Sequence, residues 1–194
     1  MFALVVVSTV GYSQDFNKNM ASARTAYGEG KLEDARFAME QMLRDLDIAI
    51  GNEIMKMLPV KLGALNYNLK EDNVTGGSGS ITGLFVHRTY GLSPKSGNIE
   101  IMNNSPMIAS LSLMLSNPIM GGMMTDENQK QIKVQGYKSL LRKNVNSETG
   151  TTSYELQVPM NNTLVTVRMD DTNEGEITTI ANSIPLSKIA QLAQ

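Results

Sequence analysis

The sequence predicts an α+β fold: an antiparallel β-sheet with helices packed on it, preceded by an N-terminal α-helical hairpin. Three observations carry this. Apolar residues recur every three to four positions from Phe16 to Leu58, the period of a helix. Between Ile81 and Met169 the period is closer to two, that of a strand. Most of the strand-like runs are also separated by short polar turns, which suit antiparallel neighbours. With 194 residues, 41% of them apolar, a chain of this size can bury roughly 70% of its unfolded surface and needs no disulfide or metal to complete a core. It reads as one ordinary soluble domain. The absence of cysteine excludes a disulfide scaffold, a zinc knuckle and a thiol nucleophile. Seventeen Lys and Arg against 19 Asp and Glu, a net charge of −2, do not provide the clustered positive charge that binding nucleic acid requires.

Residues 1–13 read as a secretory signal: a short apolar run from Phe2 to Val7, then small residues Gly11 and Ser13 before a cut. The run is about half of the roughly 20 residues needed to cross a bilayer. The expectation is a periplasmic or extracellular protein with no transmembrane segment after signal cleavage. Residues 14–69 read as the hairpin. Asp15 is the expected N-cap of a first helix with Phe16, Met20, Ala23 and Tyr27 on one face, ended by Gly28-Glu29-Gly30. A second stripe, Leu32, Ala35, Met39, Met42, Leu46, Ala49, Ile54, Met57 and Leu58, runs until Pro59. Both stripes are expected to be buried between the helices and against the sheet edge.

Residues 70–80, with Gly76-Gly77-Ser78-Gly79, read as a glycine-rich connection, and residues 81–194 as the α+β domain. Strands are expected at 81–92, 98–102, 131–142, 153–160 and 163–169, the last two facing each other across Asn161-Asn162. A middle helix has Ser105 as N-cap and Pro106 at its first position, with Met107, Ile108, Leu111, Met114 and Leu115 on its apolar face. A last helix starts at Asn173, three residues before Glu176, and resumes after Pro185 to Ala193.

Several short motifs follow one another in a set order: Leu58-Pro59, Gly76-Gly77, Arg88-x-Tyr90, Ile99-Glu100-Ile101, Asn104-Ser105-Pro106, Leu115-Ser116-Asn117-Pro118, Ile132 with Gly136 and Lys138, and Leu164-Val165-Thr166-Val167. In that order the chain from 54 to 193 resembles an uncharacterised family of secreted bacterial α+β proteins with no assigned activity. The resemblance implies an exported protein of this architecture. It departs from the family where a tryptophan usually follows the Leu-Pro segment, near Leu65. The arrangement also has a distant architectural similarity to PsbP-like folds, which carries no function.

Few residues could carry chemistry. His87 is the only histidine, and alternation places it with Phe85 and Thr89, away from Leu84, Val86, Arg88, Tyr90 and Leu92. No Gly-x-Ser-x-Gly elbow accompanies it, so it reads as a strand histidine. The Gly76–Gly83 stretch lacks both the phosphate-loop and the dinucleotide spacing. Arg88 shares its face with apolar side chains and therefore needs a partner. Either its head pairs with a carboxylate such as Glu100 or Glu155, or it recognises an anion at a cleft mouth beside Tyr90. The 14 methionines outnumber the 10 aromatics. Met120, Met123 and Met124 end a methionine-rich stretch that reads as core filling, an adaptable apolar groove or a copper(I) site.

The resulting expectation is a non-enzymatic binding or accessory protein of the bacterial cell envelope. Its candidate binding residues are Arg88, Tyr90, Met120, Met123 and Met124, no cofactor is required, and a small apolar ligand or an envelope protein is its partner. The alternatives are a methionine-rich copper(I)-binding protein and a carboxylate- or serine-dependent hydrolase.

Overall fold

The computed structural model of the protein describes residues 11–77, 83–117 and 128–193. Helices α1 (Gly11–Gly28) and α2 (Leu32–Met57) form the expected antiparallel hairpin. A two-stranded ribbon, β1 (Lys61–Leu62) with β2 (Leu65–Asn66), and a 3-10 turn over Leu69–Glu71 follow. The main sheet contains β3 (Asn73–Thr75), β4 (Phe85–Leu92), β5 (Lys95–Asn103), β6 (Gln129–Val134), β7 (Tyr137–Val145), β8 (Thr152–Met160) and β9 (Thr163–Asp170). Its order is β3-β4-β5-β9-β8-β7-β6 and every pairing is antiparallel. Helix α3 (Pro106–Ser116) lies between β5 and β6 in sequence, and α4 (Glu174–Ser183) and α5 (Leu186–Leu192) close the chain.

The two faces of the sheet differ. On one, Val86, Tyr90, Ile99, Ile101, Leu141, Leu156, Val165 and Val167 meet the C-terminal half of α2 and helices α4 and α5 in the main core. On the other, Ile108, Leu111 and Leu115 of α3 cover only Leu140 and Leu164, with Met102 and Met114 alongside. Toward the β4–β5–β9 side that second face carries Phe85, His87, Thr89, Asn98, Glu100 and Arg168, all at least partly exposed. Alternation along each strand produces the division.

The local signals of the α+β region act as expected. The Ser105 side chain accepts a hydrogen bond from the Met107 N–H, and Asn173 accepts one from Glu176 at 3.0 Å. Asn161 adopts positive φ in the β8–β9 turn. Three expectations change. The 131–142 run is two strands rather than one, since Gln135 and Gly136, both at positive φ, make a tight turn that the alternation ran across. Gln135 also serves α4, donating from Nε2 to the carbonyl of Ile184 at 2.7 Å beyond the helix C-terminus. Asn73–Thr75, within the glycine-rich stretch, forms β3 and pairs with β4. Met107 is exposed rather than on the covered face of α3.

The hairpin differs most. Helix α1 begins at Gly11, so Asp15 lies inside it and does not cap it. The residues buried where the helices meet are small: Ala23, Ala35 and Ala38. Asn19 donates to Asp45 at 3.1 Å across the pair. Alanines let helices approach closely, and that displaces the larger residues of the expected stripes to the flank. Met20, Tyr27, Leu32, Met39 and Leu46 are accordingly exposed. Farther along α2 the same flank turns onto the sheet, where Ile54 and Leu58 are buried and Ile50 and Met57 pack against the main core. A side chain at Gly51 would collide there with Val74 and Leu84, so glycine allows the helix to cross the β3–β4 edge closely.

Candidate functional site

The expected site residues do not converge. Arg88 projects from β4 into the inner face and is buried at 7% exposure. Its partner is Asp72, just after the 3-10 turn: Nε donates to Oδ1 at 3.0 Å and Nη2 to Oδ2 at 2.6 Å, a two-pronged match of guanidinium to carboxylate. Nη1 reaches the Leu58 carbonyl at 3.5 Å, and the guanidinium lies 4.7 Å from the centre of the Tyr67 ring. The hydrogen bond to Asp72 holds the Arg88 pKa above its ordinary value against the opposing effect of burial.

Tyr90, two residues on and on the same face, is fully buried and donates its hydroxyl to the Pro59 carbonyl at 2.8 Å. Burial raises its pKa, partly offset by Arg88. Arg88 and Tyr90 thus tie the end of α2, the β1–β2 ribbon and the 3-10 turn to the sheet. Glu100 and Glu155, the expected partners of Arg88, are on the opposite face, where Glu100 lies 3.3 Å from the His87 ring and Glu155 lies 3.7 Å from Arg142. Register decides this, because β5 sets Ile99, not Glu100, beside Arg88. Asp72 stands in a polar stretch with no spacing that relates it to Arg88.

Met120, Met123 and Met124 lie outside the described residues. Of the neighbouring methionines, Met102 and Met114 pack against the α3 cluster, as fillers do. Among the described residues no group of three or more His, Asp or Glu side chains is arranged to hold a metal ion.

A cleft of about 370 Å³ opens at the β4–β5–β9 end of the sheet, lined among others by Glu71, Thr89, Ser96, Asn98, Arg168 and Asp170. Its polar groups are largely spent on one another: Thr89 donates to Glu71 at 2.5 Å, Ser96 to Asp170 at 2.8 Å and Asn98 to Glu100 at 3.1 Å. No histidine stands beside Ser96, and a carboxylate alone is a weak base for a hydroxyl. The cleft is polar and does not match the expected groove for an apolar ligand.

A second surface is more distinctive. Met20 and Tyr27 of α1 and Leu32, Met39, Leu43 and Leu46 of α2 are each between 47% and 67% exposed. At about 100° per residue, the four on α2 fall within an arc of roughly 60°. In an antiparallel pair the flanks reached by turning the same way from the two contact lines lie on one side, so the α1 residues extend the same face. Phe37, also exposed, is on the opposite side of α2. Each side chain leaves on the order of 100 Å² uncovered, giving a patch of about 600 Å², the upper end of what monomeric proteins show. Sequence periodicity located all of these residues except Leu43 but assigned them to the interior. The signal that distinguishes them is the small residues Ala23 and Ala35 within the same stripes, joined by Ala38, which let the helices meet there and turn the larger side chains to the flank.

No protein-family model, curated protein or solved structure matches this chain.

Proposed function

We propose that the protein is a non-enzymatic binding module of the bacterial cell envelope that engages a protein partner through the apolar face of its helical hairpin. The observation that carries this reading is the clustering of six large apolar side chains on one side of the hairpin, while the sheet core beneath α2, α4 and α5 is closed. A surface of this kind is costly to leave in water and marks a docking site. The apolar run Phe2–Val7 with Gly11 and Ser13, and the resemblance to a secreted bacterial family, support the envelope as its location. Ile54, Met55 and Leu58 of α2 pack into the main core and Tyr90 and Arg88 donate to the Pro59 and Leu58 carbonyls, so the overhanging helices are presented from a fixed base.

The test places a photo-crosslinking benzoyl-phenylalanine at Leu43, on the face, and at Lys133, on β6 at the far edge of the sheet, in the native host. A discrete adduct from position 43 in the envelope fraction, absent at 133, is expected. No adduct at 43, or the same adducts at both positions, would refute the reading.

One contact favours a second reading. Ser96 donates to Asp170 in the cleft that also holds Arg168, a minimal arrangement for a serine- and carboxylate-dependent hydrolase. Turnover in a broad ester and amide screen that Ser96→Ala abolishes would establish it; turnover that survives the substitution, or none, removes it.

A further inference from the structure

We infer that the partner seated on the hairpin face is a second copy of this chain, the two hairpins forming an antiparallel four-helix bundle about a two-fold axis at Met39. The inference rests on the docking role proposed above and names its occupant. Three features point to it.

The exposed face is the direct continuation of a buried one: the flank of α2 that packs on the sheet at Ile50, Ile54, Met57 and Leu58 runs on, uncovered, through Leu46, Leu43, Met39 and Leu32. Among the described residues the body stops short of this overhang. Its last described contacts with α2 are near Arg44, whose carbonyl is where a side chain on Gly76 would collide, and at Asp47, which accepts from the Gly77 N–H at 3.3 Å. The stretch from Leu32 to Leu43 therefore overhangs by about 18 Å at 1.5 Å per residue, and a partner must match a helical ridge of that length.

The second feature is self-complementarity. Met39 lies midway between Leu32 and Leu46. A two-fold axis there sets Met39 against the second copy's Met39 and each Leu32 against the other's Leu46, while Leu43, level with the second copy's buried Ala35, lies between that copy's Leu32 and Met39. Met20 and Tyr27, on the same side of α1, close the bundle along its second pair of helices.

The third is area. About 600 Å² from each copy buries roughly 1,200 Å² in all, the lower bound of stable specific interfaces. A contact of this size removes the patch from water without another component.

Sedimentation velocity and light scattering on the purified full-length chain, across low to high micromolar concentrations, provide the first measurement. A monomer–dimer equilibrium is expected, weakened at least about 30-fold by Leu43→Glu, the effect of losing a central interface contact. Leu43 is 61% exposed, so that variant keeps its fold, which far-UV circular dichroism verifies. The chain has no cysteine, which makes Met39→Cys a single reporter: a short bismaleimide is expected to join two copies through position 39 and not through Lys133→Cys. A chain monomeric at all concentrations, a dimer indifferent to Leu43→Glu, or equal cross-linking at both cysteines overturns the inference. The cellular cross-link at Leu43 separates the two failures. An adduct of another mass with a monomeric chain removes the dimer and keeps the docking role, whereas no adduct with a monomeric chain removes both.

Discussion

Removing the carboxylate of Asp72 while leaving Arg88 in place is the sharpest test of what holds the 3-10 turn after the hairpin to the sheet. In Asp72→Ala the guanidinium keeps only the long 3.5 Å contact to Leu58 and the face of Tyr67. It cannot swing out, because its stem is fixed on an interior strand position at 7% exposure. Breaking a buried ion pair from one side costs about 3–5 kcal/mol. The side chains of this pair retain 9% and 13% exposure, and the Tyr67 ring still faces the cation, so the expected loss is nearer 2–4 kcal/mol. For a chain of this size that corresponds to a fall in Tm of roughly 4–16 °C. Arg88→Met removes the charge but keeps the packing of the stem, and Asp72, on a loop, can turn to water. It should cost about 1–2 kcal/mol. The double variant should then be no worse than Asp72→Ala alone, giving a coupling of more than about 1 kcal/mol. Urea unfolding followed by far-UV circular dichroism suits a chain without tryptophan. A loss below about 1 kcal/mol in Asp72→Ala, or additive losses in the double variant, would refute a structural role for the pair.

Three further outcomes follow from single contacts. Tyr90→Phe leaves the Pro59 carbonyl without its 2.8 Å donor and should cost about 1 kcal/mol in urea unfolding; in alkaline spectrophotometric titration of the native protein, Tyr90 should be the tyrosine whose ionisation appears only with unfolding. The Thr163 hydroxyl is buried with no hydrogen-bond partner among the described residues, so Thr163→Val should be neutral or stabilising by up to about 1 kcal/mol, and a clear loss in Tm would show that the hydroxyl is satisfied. Burial raises the Asp47 carboxyl above its ordinary value, partly offset by the Gly77 N–H. Its charged form therefore opposes folding, and its contribution is best below the ordinary carboxylate range and is lost as pH rises through the raised value. Asp47→Asn should exceed the parent by a few tenths of a kcal/mol near neutral pH, after solvent screening, with the gap closing in acid; a constant gap would count against the titration.

The sequence by itself determined those parts of the fold whose causes are local. Ser105-Pro106 and Asn173 start helices because a side-chain acceptor or a missing N–H satisfies the first turn without outside help. Alternation in β4 separated Arg88 and Tyr90 from Phe85, His87 and Thr89, because strand period is a property of the backbone. It also required Arg88 to have a partner. Tertiary structure decided which one: the choice of Asp72 over Glu100 or Glu155 depends on strand register and on a loop 16 residues earlier in the chain. The turn at Gln135-Gly136 inverts the phase of the alternation, since Val134 and Tyr137 pair and share a face, but Leu140 and Leu141 are both apolar and buried on opposite faces, which masks the inversion in the sequence. In the hairpin, periodicity marked one apolar stripe on each helix, mixing small and large residues, and could not say which of them meet the other helix. Close approach through Ala23, Ala35 and Ala38 took the helix contact, and the larger side chains were left to cover the sheet at Ile54 and to face outward at Met39. Which part of a stripe is core and which is surface depends on what else is within reach, and along the overhang of α2 the described chain places nothing there.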